Sequence, residues 1–292
     1  MKESKLYSIG QAAEICDVST RTLRYYESKG LISCDHTSDS GYRYYTMATL
    51  RVVQTIRYYV DQGFSLEEAG QLINAENTDR FQEIFRKQMV QTKAEIEYYH
   101  QRLDSLKDWY SLISEGKRAL RVGESIISTK YVGEQLCFTY EEEFDTDDPD
   151  AEANLEIRYF TSSKRDGHSM VDVGGAFTIH HNSYRTRMDG ISSKVELIQP
   201  IYPHAKSMKN TKLIPGYTAI TAYHLGSIGN ITDTYEAMVD WADRHEFELK
   251  GDSYERYVLD FYSTNNEDNY VTQILMPVEA NDDDLTFLKS LG

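Results

Sequence analysis

Residues 79–115 contain neither proline nor glycine, and apolar or adaptable side chains recur there at alternating intervals of four and three residues. A repeat of 3.5 residues keeps one seam of a helix facing a partner helix along its whole length. A single helix cannot bury such a seam by itself. The pattern therefore predicts a long coiled-coil helix, whose seam consists of Phe85, Met89, Thr92, Ile96, Tyr99, Leu103, Leu106, Tyr110 and Ile113.

This helix predicts a homodimer. A helix of this length reaches about 50 Å at 1.5 Å per residue, which favours pairing with a second copy of the chain. The alternative that the sequence leaves open is packing of the seam against the chain's own domains. In such a dimer, a two-fold axis would relate the two copies of every surface of the chain.

Charge is distributed unevenly along the 292 residues, whose net charge is −16. Residues 1–77 sum to −2, residues 78–117 to 0 and residues 118–292 to −14. The length exceeds that of one ordinary domain. The acidic C-terminal part favours a cationic ligand over nucleic acid, whereas the nearly neutral N-terminal part is compatible with DNA binding of modest affinity.

The N-terminal part predicts a helix-turn-helix. Ser8 precedes a short helix with an apolar side, and Ser19 precedes a second helix, Thr20 to Ser28; serine is a preferred N-cap residue. Two short helices joined by a three-residue turn are typical of this motif. Residues 40–46 then predict a β-hairpin wing, followed by a helix over 47–62 and another behind a capping box that begins at Ser65.

The strings SIGQAAEICDVSTRTLRYYESKGLI, GYRYYT and GFSLEEA occur in this order near the N-terminus. In sequence and spacing they resemble the MerR family of transcription regulators, over about the first quarter of the chain. The resemblance implies a winged helix-turn-helix over 1–77 and an antiparallel coiled-coil dimerisation helix over 78–117. It also implies contacts with phosphates or base edges from Thr20, Arg21, Arg24, Tyr25, Tyr26, Tyr42, Arg43 and Arg57. Because neighbours on a helix cannot both face DNA, one residue of the Tyr25-Tyr26 pair is expected to pack inside.

After Gly116 the pattern changes from helical to alternating, which predicts short strands with two helices between them. We expect an α+β domain over 118–292, with an antiparallel sheet covered on one side. The predicted fold is thus multidomain, α and α+β. The strands are expected near 136–140, 175–179, 218–223 and 270–276, and the helices near 150–162 and 231–246, the second capped by Thr232.

The segments LIPGYTAITAYHL and SYERYVLDFY, together with this order of elements, resemble the GyrI-like effector domain of multidrug-responsive activators. On the strand at 254–262, alternation places Glu255 with Tyr257, Leu259 and Phe261 on one face, opposite Arg256 and Asp260. A buried carboxylate needs hydrogen-bond donors, a cation of the protein or a cation of a ligand. The resemblance implies that Glu255 meets a cationic aromatic ligand, surrounded by Tyr257, Tyr270, Tyr223, Tyr140 and Phe177. A salt bridge from Glu255 to Arg or Lys remains the alternative.

These features predict a ligand-responsive transcription activator that distorts promoter DNA, with RNA polymerase, a cationic aromatic molecule and a second copy of the chain as partners. A repressor, a drug-binding protein without activation and a GyrI-like hydrolase are the alternatives. No catalytic residues are predicted, because no general acid accompanies Glu255. We expect no cofactor and no metal, since the three cysteines are widely separated and residues 112–130 contain none. Without a signal sequence or a membrane-spanning run, a cytoplasmic location is expected.

Overall fold

The computed structural model describes residues 5–75, 77–123, 126–145, 148, 150–165, 173–191, 193–205 and 209–279. The chain divides into two compact units, Met1–Tyr98 and Tyr99–Gly292. None of the helices in these ranges is long and apolar enough to cross a membrane.

The first unit is helical with one small sheet. In chain order, its elements are β1 (Leu6–Ser8), α1 (Ile9–Cys16), α2 (Thr20–Ser28), β2 (His36–Thr37), β3 (Arg43–Thr46), α3 (Met47–Asp61), α4 (Leu66–Ile73) and the first part of α5 (Thr78–Val122). The three strands are antiparallel in the order β1-β3-β2. The predicted helix-turn-helix and wing are both present.

Local capping explains where these helices begin. The side chains of Ser8 and Ser65 form capping boxes with Gln11 and Glu68, and the Ser19 side chain accepts a hydrogen bond from the backbone of α2. Each cap satisfies backbone N–H groups that lack a partner inside the helix. Helix α1 ends at Asp17, whose φ of 49° lies in the left-handed region. The chain can therefore turn sharply into α2.

Helix α5 is continuous over 45 residues, from Thr78 to Val122. It passes through Gly116, where the sequence pattern predicted its end, and continues beyond the expected limit at residue 117. The physical reason is close packing. A Cβ atom at position 116 would overlap the Leu259 side chain, so glycine allows α5 to approach the strand that carries Leu259.

The second unit contains one large antiparallel sheet. Its elements are β4 (Ser128–Val132), β5 (Gln135–Phe144), α6 (Ala151–Arg165), β6 (Phe177–His181), α7 (Tyr184–Met188), β7 (Ser193–Pro200), β8 (Thr211–Ile214), β9 (Tyr217–Leu225), α8 (Ile231–Arg244), β10 (Ser253–Leu259) and β11 (Val271–Pro277). The strand order is β4-β9-β11-β10-β6-β7-β5-β8. The predicted α+β class is confirmed.

Both faces of this sheet are covered in part. One face packs against α6 and α8, with Leu155 and Tyr159 of α6 against Leu197 and with Tyr235 of α8 against Ile274. Part of the opposite face packs against the C-terminal half of α5, in a cluster that includes Leu112, Val258, Leu259 and Val271. The sheet therefore lies between two helical layers here, rather than being covered on one side as predicted.

Strand β10 departs from the simple alternation that the sequence predicted. The register with β11 shifts between Tyr257 and Leu259, which is a β-bulge, and a bulge changes the face on which the following side chains lie. Leu259 accordingly packs with the α5 cluster, whereas Tyr257 packs with the α6 cluster. Phe261 lies beyond the end of the strand.

The predicted start of α8 also needs correction. The N-cap residue is Asn230 rather than Thr232, and its side chain makes no capping hydrogen bond. A short 3-10 helix, Ile228–Asn230, leads directly into α8. The chain therefore enters this helix through a backbone turn, and no capping side chain marks its start.

We predict that Gly116→Val destabilises the second unit by about 1–3 kcal/mol, the usual cost of overpacking a close contact. Urea unfolding of the full chain, followed by tryptophan fluorescence, measures the change in unfolding free energy. Gly133→Ala is the matched control, because nothing lies within 4 Å of an added Cβ there. Equal stability of the Gly116→Val and wild-type proteins would contradict the close packing of α5 on β10.

Candidate functional site

Helix α2 presents a polar face to solvent. Thr20, Arg21 and Arg24 are exposed, and the Tyr25 side chain is 46% exposed. Tyr26 is 6% exposed and packs in the core of the first unit with Leu23. Of the two adjacent tyrosines, Tyr26 is thus the one directed inward, and its side chain is removed from the surface on which DNA contacts were predicted.

Glu27 joins the wing to α2. Its carboxylate accepts a hydrogen bond from the Tyr45 hydroxyl at 3.1 Å, and it forms a salt bridge with Arg43 Nε at 3.0 Å. Tyr42, at the tip of the wing, is 66% exposed. The predicted residues Arg43 and Tyr42 therefore lie on a wing that is fixed to α2, the helix from which most of the DNA contacts are predicted.

Arg57, on α3, holds the turn between the two helices. Its guanidinium donates a hydrogen bond to the backbone carbonyl of Cys16 and forms a salt bridge with Asp17 at 3.5 Å. The hydrogen bond gives a partner to a backbone carbonyl at the C-terminal end of α1, where the last carbonyls have none inside the helix. The structure therefore gives Arg57 a role within the fold, and its side chain is only partly exposed.

The C-terminal half of α5 uses two different faces. Asp108, Trp109, Leu112 and Glu115 contact the sheet or the segments beside it. The predicted seam lies on another face and stays largely accessible in the single chain. The exposed fractions of its side chains are 50% for Leu103, 58% for Leu106, 74% for Tyr110 and 38% for Ile113.

Glu255 lies at the centre of a buried polar cluster. Its side chain is 1% exposed, and Arg187, on α7, donates from Nε to Oε1 at 2.8 Å and from Nη2 to Oε2 at 3.5 Å. The Tyr235 hydroxyl, which also lies 3.0 Å from Ser253 Oγ, donates to Oε1 at 2.9 Å. His181 Nε2 is 3.4 Å from Oε1. Glu255 thus makes the salt bridge that the sequence analysis left open.

The electrostatics of this cluster favour the charged carboxylate. Burial alone would raise the pKa of Glu255, but the Arg187 guanidinium and then His181 outweigh it and hold that pKa far below its usual range. Burial in turn opposes the charge on Arg187, but the Glu255 carboxylate overcomes it and raises the pKa of the guanidinium. The pair therefore remains ionised throughout the neutral range.

Of the other residues predicted to bind the effector, Tyr257, Phe177 and Tyr140 lie in one apolar cluster, whereas Tyr223 contacts helix α5. Tyr257 and Phe177 are buried side by side, with ring centroids 5.9 Å apart. The hydroxyls of Tyr140 and Tyr223 donate to Glu142 and Glu115, each at 2.7 Å, and Tyr270 directly precedes β11. Their role in ligand binding stays a prediction.

A cavity of about 370 Å³ lies on the opposite face of β10. Its walls combine apolar side chains with polar ones and lie beside the C-terminal half of α5. They include Asp108, Lys130, Tyr131, Tyr217, Arg256 and Gln273. The only sequence signal for this cavity was the alternation that placed Arg256 opposite Glu255, because the other wall residues come from distant parts of the chain.

Arg256 connects this cavity to α5. Its guanidinium donates to both carboxylate oxygens of Glu115, at 2.7 Å and 3.1 Å, and to Gln273 Oε1 at 3.0 Å. Burial would raise the pKa of Glu115, but the hydrogen bond and charge of Arg256 outweigh it and lower that pKa. A bidentate pair of this kind fixes orientation as well as charge. It therefore ties the central strands to the helix.

Among the residues that the structure describes, no group of three or more His, Cys, Asp or Glu side chains is arranged to hold a metal ion. The His180-His181 pair illustrates why. On a strand the two rings point to opposite faces: His180 stacks on Tyr254, whereas His181 lies beside Glu255.

Comparisons with known proteins match both parts of the chain. The model for the MerR HTH family regulatory protein matches residues 7–76, and that for the GyrI-like small molecule binding domain matches residues 157–279. A multidrug-efflux transporter 2 regulator of Bacillus subtilis (strain 168) is 21% identical, over 94% of this chain and 97% of its own length. The transcriptional regulator CueR of Escherichia coli is 32% identical, over 35% of this chain and 76% of its own length.

Solved structures give weaker overall likeness. The EcmrR–DNA complex in EcmrR-RPo matches with a TM-score of 0.43 and 20% identity, and covers 94% of this chain and all of that one. A hydrolase from Listeria innocua matches with a TM-score of 0.36 and 13% identity, over 52% of this chain and 91% of that one.

We predict that Glu255→Gln costs about 3–5 kcal/mol of unfolding free energy at pH 7, because it leaves the Arg187 charge buried without its counter-ion. The folded-state pKa of Glu255 is depressed, so its contribution is complete above about pH 4.5 and is lost as the pH falls further. Urea unfolding of both proteins between pH 3 and pH 7 should give a constant difference at the upper end that shrinks below about pH 4.5. A difference independent of pH would contradict the charged pair.

Proposed function

Because the chain belongs to the MerR HTH family of regulatory proteins and carries a GyrI-like small molecule binding domain, we propose that it is a ligand-responsive activator of a drug-efflux or stress gene. The observation that carries the proposal is the combination, in one chain, of an exposed arginine-bearing helix α2 with a sheet domain that contains a drug-sized cavity. Cavities of this size are typical of sites for small molecules.

The proposed DNA surface is the exposed face of α2 together with the wing. Arg21 and Arg24 supply charge and bidentate donors at the recognition helix, and Tyr25 lies beside them. Tyr42 and Arg43 extend this surface onto the wing, which Glu27 holds in a fixed orientation. Residues 1–77 carry a net charge of only −2, so we expect modest affinity and a shallow dependence on salt.

The proposed active form is a homodimer joined through α5. The exposed side chains at Leu103, Leu106 and Tyr110 support this assembly, because the sheet contacts a different face of the helix. Burying such a stripe against a second copy removes apolar surface from water. Two copies of α2 would then read a pseudo-palindromic promoter.

We further propose that the dimer bends and untwists promoter DNA, so that RNA polymerase can engage both promoter elements. Deforming DNA costs free energy, so a ligand activates only if it stabilises the distorting state more than the resting one. The links from Arg256 and Tyr223 to Glu115 support a route from the ligand-binding domain to α5. Repression of the regulated gene remains the alternative to activation.

Binding rather than catalysis is the proposed role of the sheet domain. A general base near neutral pH needs a pKa close to that range, whereas Arg187 keeps the carboxylate of Glu255 strongly acidic. The expectation of a cationic aromatic effector at Glu255 remains part of the proposal. Any such cation has to contend with Arg187, which already neutralises the carboxylate.

We predict that Arg21→Ala and Arg24→Ala each weaken binding to the protein's own promoter by about 1–3 kcal/mol, with little effect on folding. Gel-shift titrations at moderate salt give the affinities, and in-vitro transcription on the same promoter gives activation. Arg86→Ala is the control, since this exposed arginine lies on α5 and not on α2 or the wing. Sequence-selective binding that is equal in all four proteins would refute the assigned surface, and its absence in the wild type would refute the function.

We predict that Leu103→Glu combined with Leu106→Glu converts the dimer to a monomer, because charges in a coiled-coil seam repel each other and stay hydrated. Light scattering coupled to size-exclusion chromatography measures the mass. Ala94→Glu introduces one negative charge on the exposed α5 surface outside the seam and should leave the dimer intact. An unchanged mass for the double variant would show that the seam is not the dimer contact.

A further inference from the structure

The buried carboxylate of Glu255 already has a cation from its own chain. Arg187 reaches it from α7, and the exposed fractions of the two side chains are 9% and 1%. Opposite charges at this distance in a dry interior are held together strongly once their hydration has been lost. Any ligand cation at Glu255 must therefore take the place of Arg187, since adding a second positive charge would leave the cluster with an uncompensated charge.

The geometry of the pair specifies more than charge. Arg187 donates from two nitrogens to the two oxygens of the carboxylate, and the Tyr235 hydroxyl donates a further hydrogen bond to Oε1. A cation without N–H groups, such as a phosphonium or a quaternary ammonium, would leave carboxylate lone pairs unsatisfied. Buried polar groups without partners are costly. An amidinium or guanidinium instead reproduces both donors in one plane.

We propose that Arg187 acts as an internal competitor at Glu255 and restricts effectors at this site to aromatic amidines and guanidines. The inference rests on the proposed function, because it concerns a small molecule that binds through Glu255. The adjacent rings of Tyr257 and Phe177 offer an apolar wall for the aromatic part of such a ligand. Arg187 is thereby a specificity-determining residue rather than a passive part of the core.

The cavity on the opposite face of β10 provides a separate place for ligands. Arg256 contributes to its wall, whereas Glu255 and Arg187 do not. The affinity of a molecule that binds there would not change when Glu255 is replaced. Dependence on Glu255 therefore distinguishes the two sites.

The test compares benzamidinium with benzyltrimethylammonium, which resembles it in size and charge but has no N–H donor. Isothermal titration calorimetry is carried out on full-length wild-type, Arg187→Ala and Arg187→Ala/Glu255→Gln proteins. Benzamidinium should bind Arg187→Ala at least about tenfold more tightly than wild type, because it no longer has to displace the Arg187 guanidinium from Glu255. The gain for benzyltrimethylammonium should be much smaller, and the double variant should lose the gain for benzamidinium.

Arg185→Ala is the matched control, because it removes an exposed guanidinium from the same helix. It should bind both probes as wild type does. Equal gains for the two probes in Arg187→Ala, the same gain in Arg185→Ala, or a gain that survives Glu255→Gln would each overturn the inference.

Arg187→Ala leaves a buried carboxylate unpaired, so folding is checked by thermal unfolding with and without the probes. Benzamidinium should raise the melting temperature of this variant more than that of the wild type. If the variant does not fold, the test relies on the wild type. The wild type should bind benzamidinium at least about tenfold more tightly than benzyltrimethylammonium. Equal affinities for the two probes would overturn the inference. Promoter binding without ligand is measured in parallel. Loss of promoter binding would contradict the proposed regulatory function. Retained promoter binding together with equal affinities for the two probes would contradict only the role of Arg187.

Discussion

The C-terminal half of helix α5 must satisfy two surfaces at once, and the rest of the second unit is arranged around this constraint. One face bears Trp109, Leu112 and Glu115 and is held against the sheet by apolar packing and by the Arg256 pair. The neighbouring seam keeps its apolar side chains at the surface. A helix that was simply part of the core would bury both. Because one face of α5 packs on the sheet and another is free for the proposed dimer contact, this helix connects the two.

A second constraint acts on the other side of the sheet, where Glu255 is removed from water. Burying a carboxylate without partners costs several kcal/mol of free energy. The fold therefore surrounds Glu255 with side chains from α7, from α8 and from the neighbouring strand. These elements lie far apart in sequence but meet in one small volume. The cluster is therefore a feature of the tertiary fold, and the charge of Arg187 keeps the carboxylate ionised.

The sequence predicted the N-terminal elements well because their signals are local. Ser8 and Ser65 cap helices through residues only three positions away, and the heptad seam repeats within one helix. In the described part of the second unit, the sequence predicted α6, α8 and five of the eight strands of the sheet, but not β4, β7, β8 or α7. Strand order was not predictable, because each strand pairs with a partner chosen by the whole sheet, as when β9 lies between β4 and β11.

The candidate site was less predictable for the same reason. Arg187 is 68 residues from Glu255, and nothing in its local sequence marks it as the partner of a carboxylate. The bulge after Tyr257 changed the faces of the following residues, which strict alternation cannot anticipate. Gly116 looked like a helix end, although its lack of a side chain instead permits close contact with Leu259.

Strand β10 contacts both helical layers of the domain, on either side of the bulge. Before it, the strand carries Glu255 into the layer beneath α8; after it, the strand carries Leu259 into the layer beneath α5. The backbone between these residues is short and cannot stretch. A shift of the strand along its own axis would therefore change its contacts with both helical layers together. A displacement at one layer would in this way reach the other.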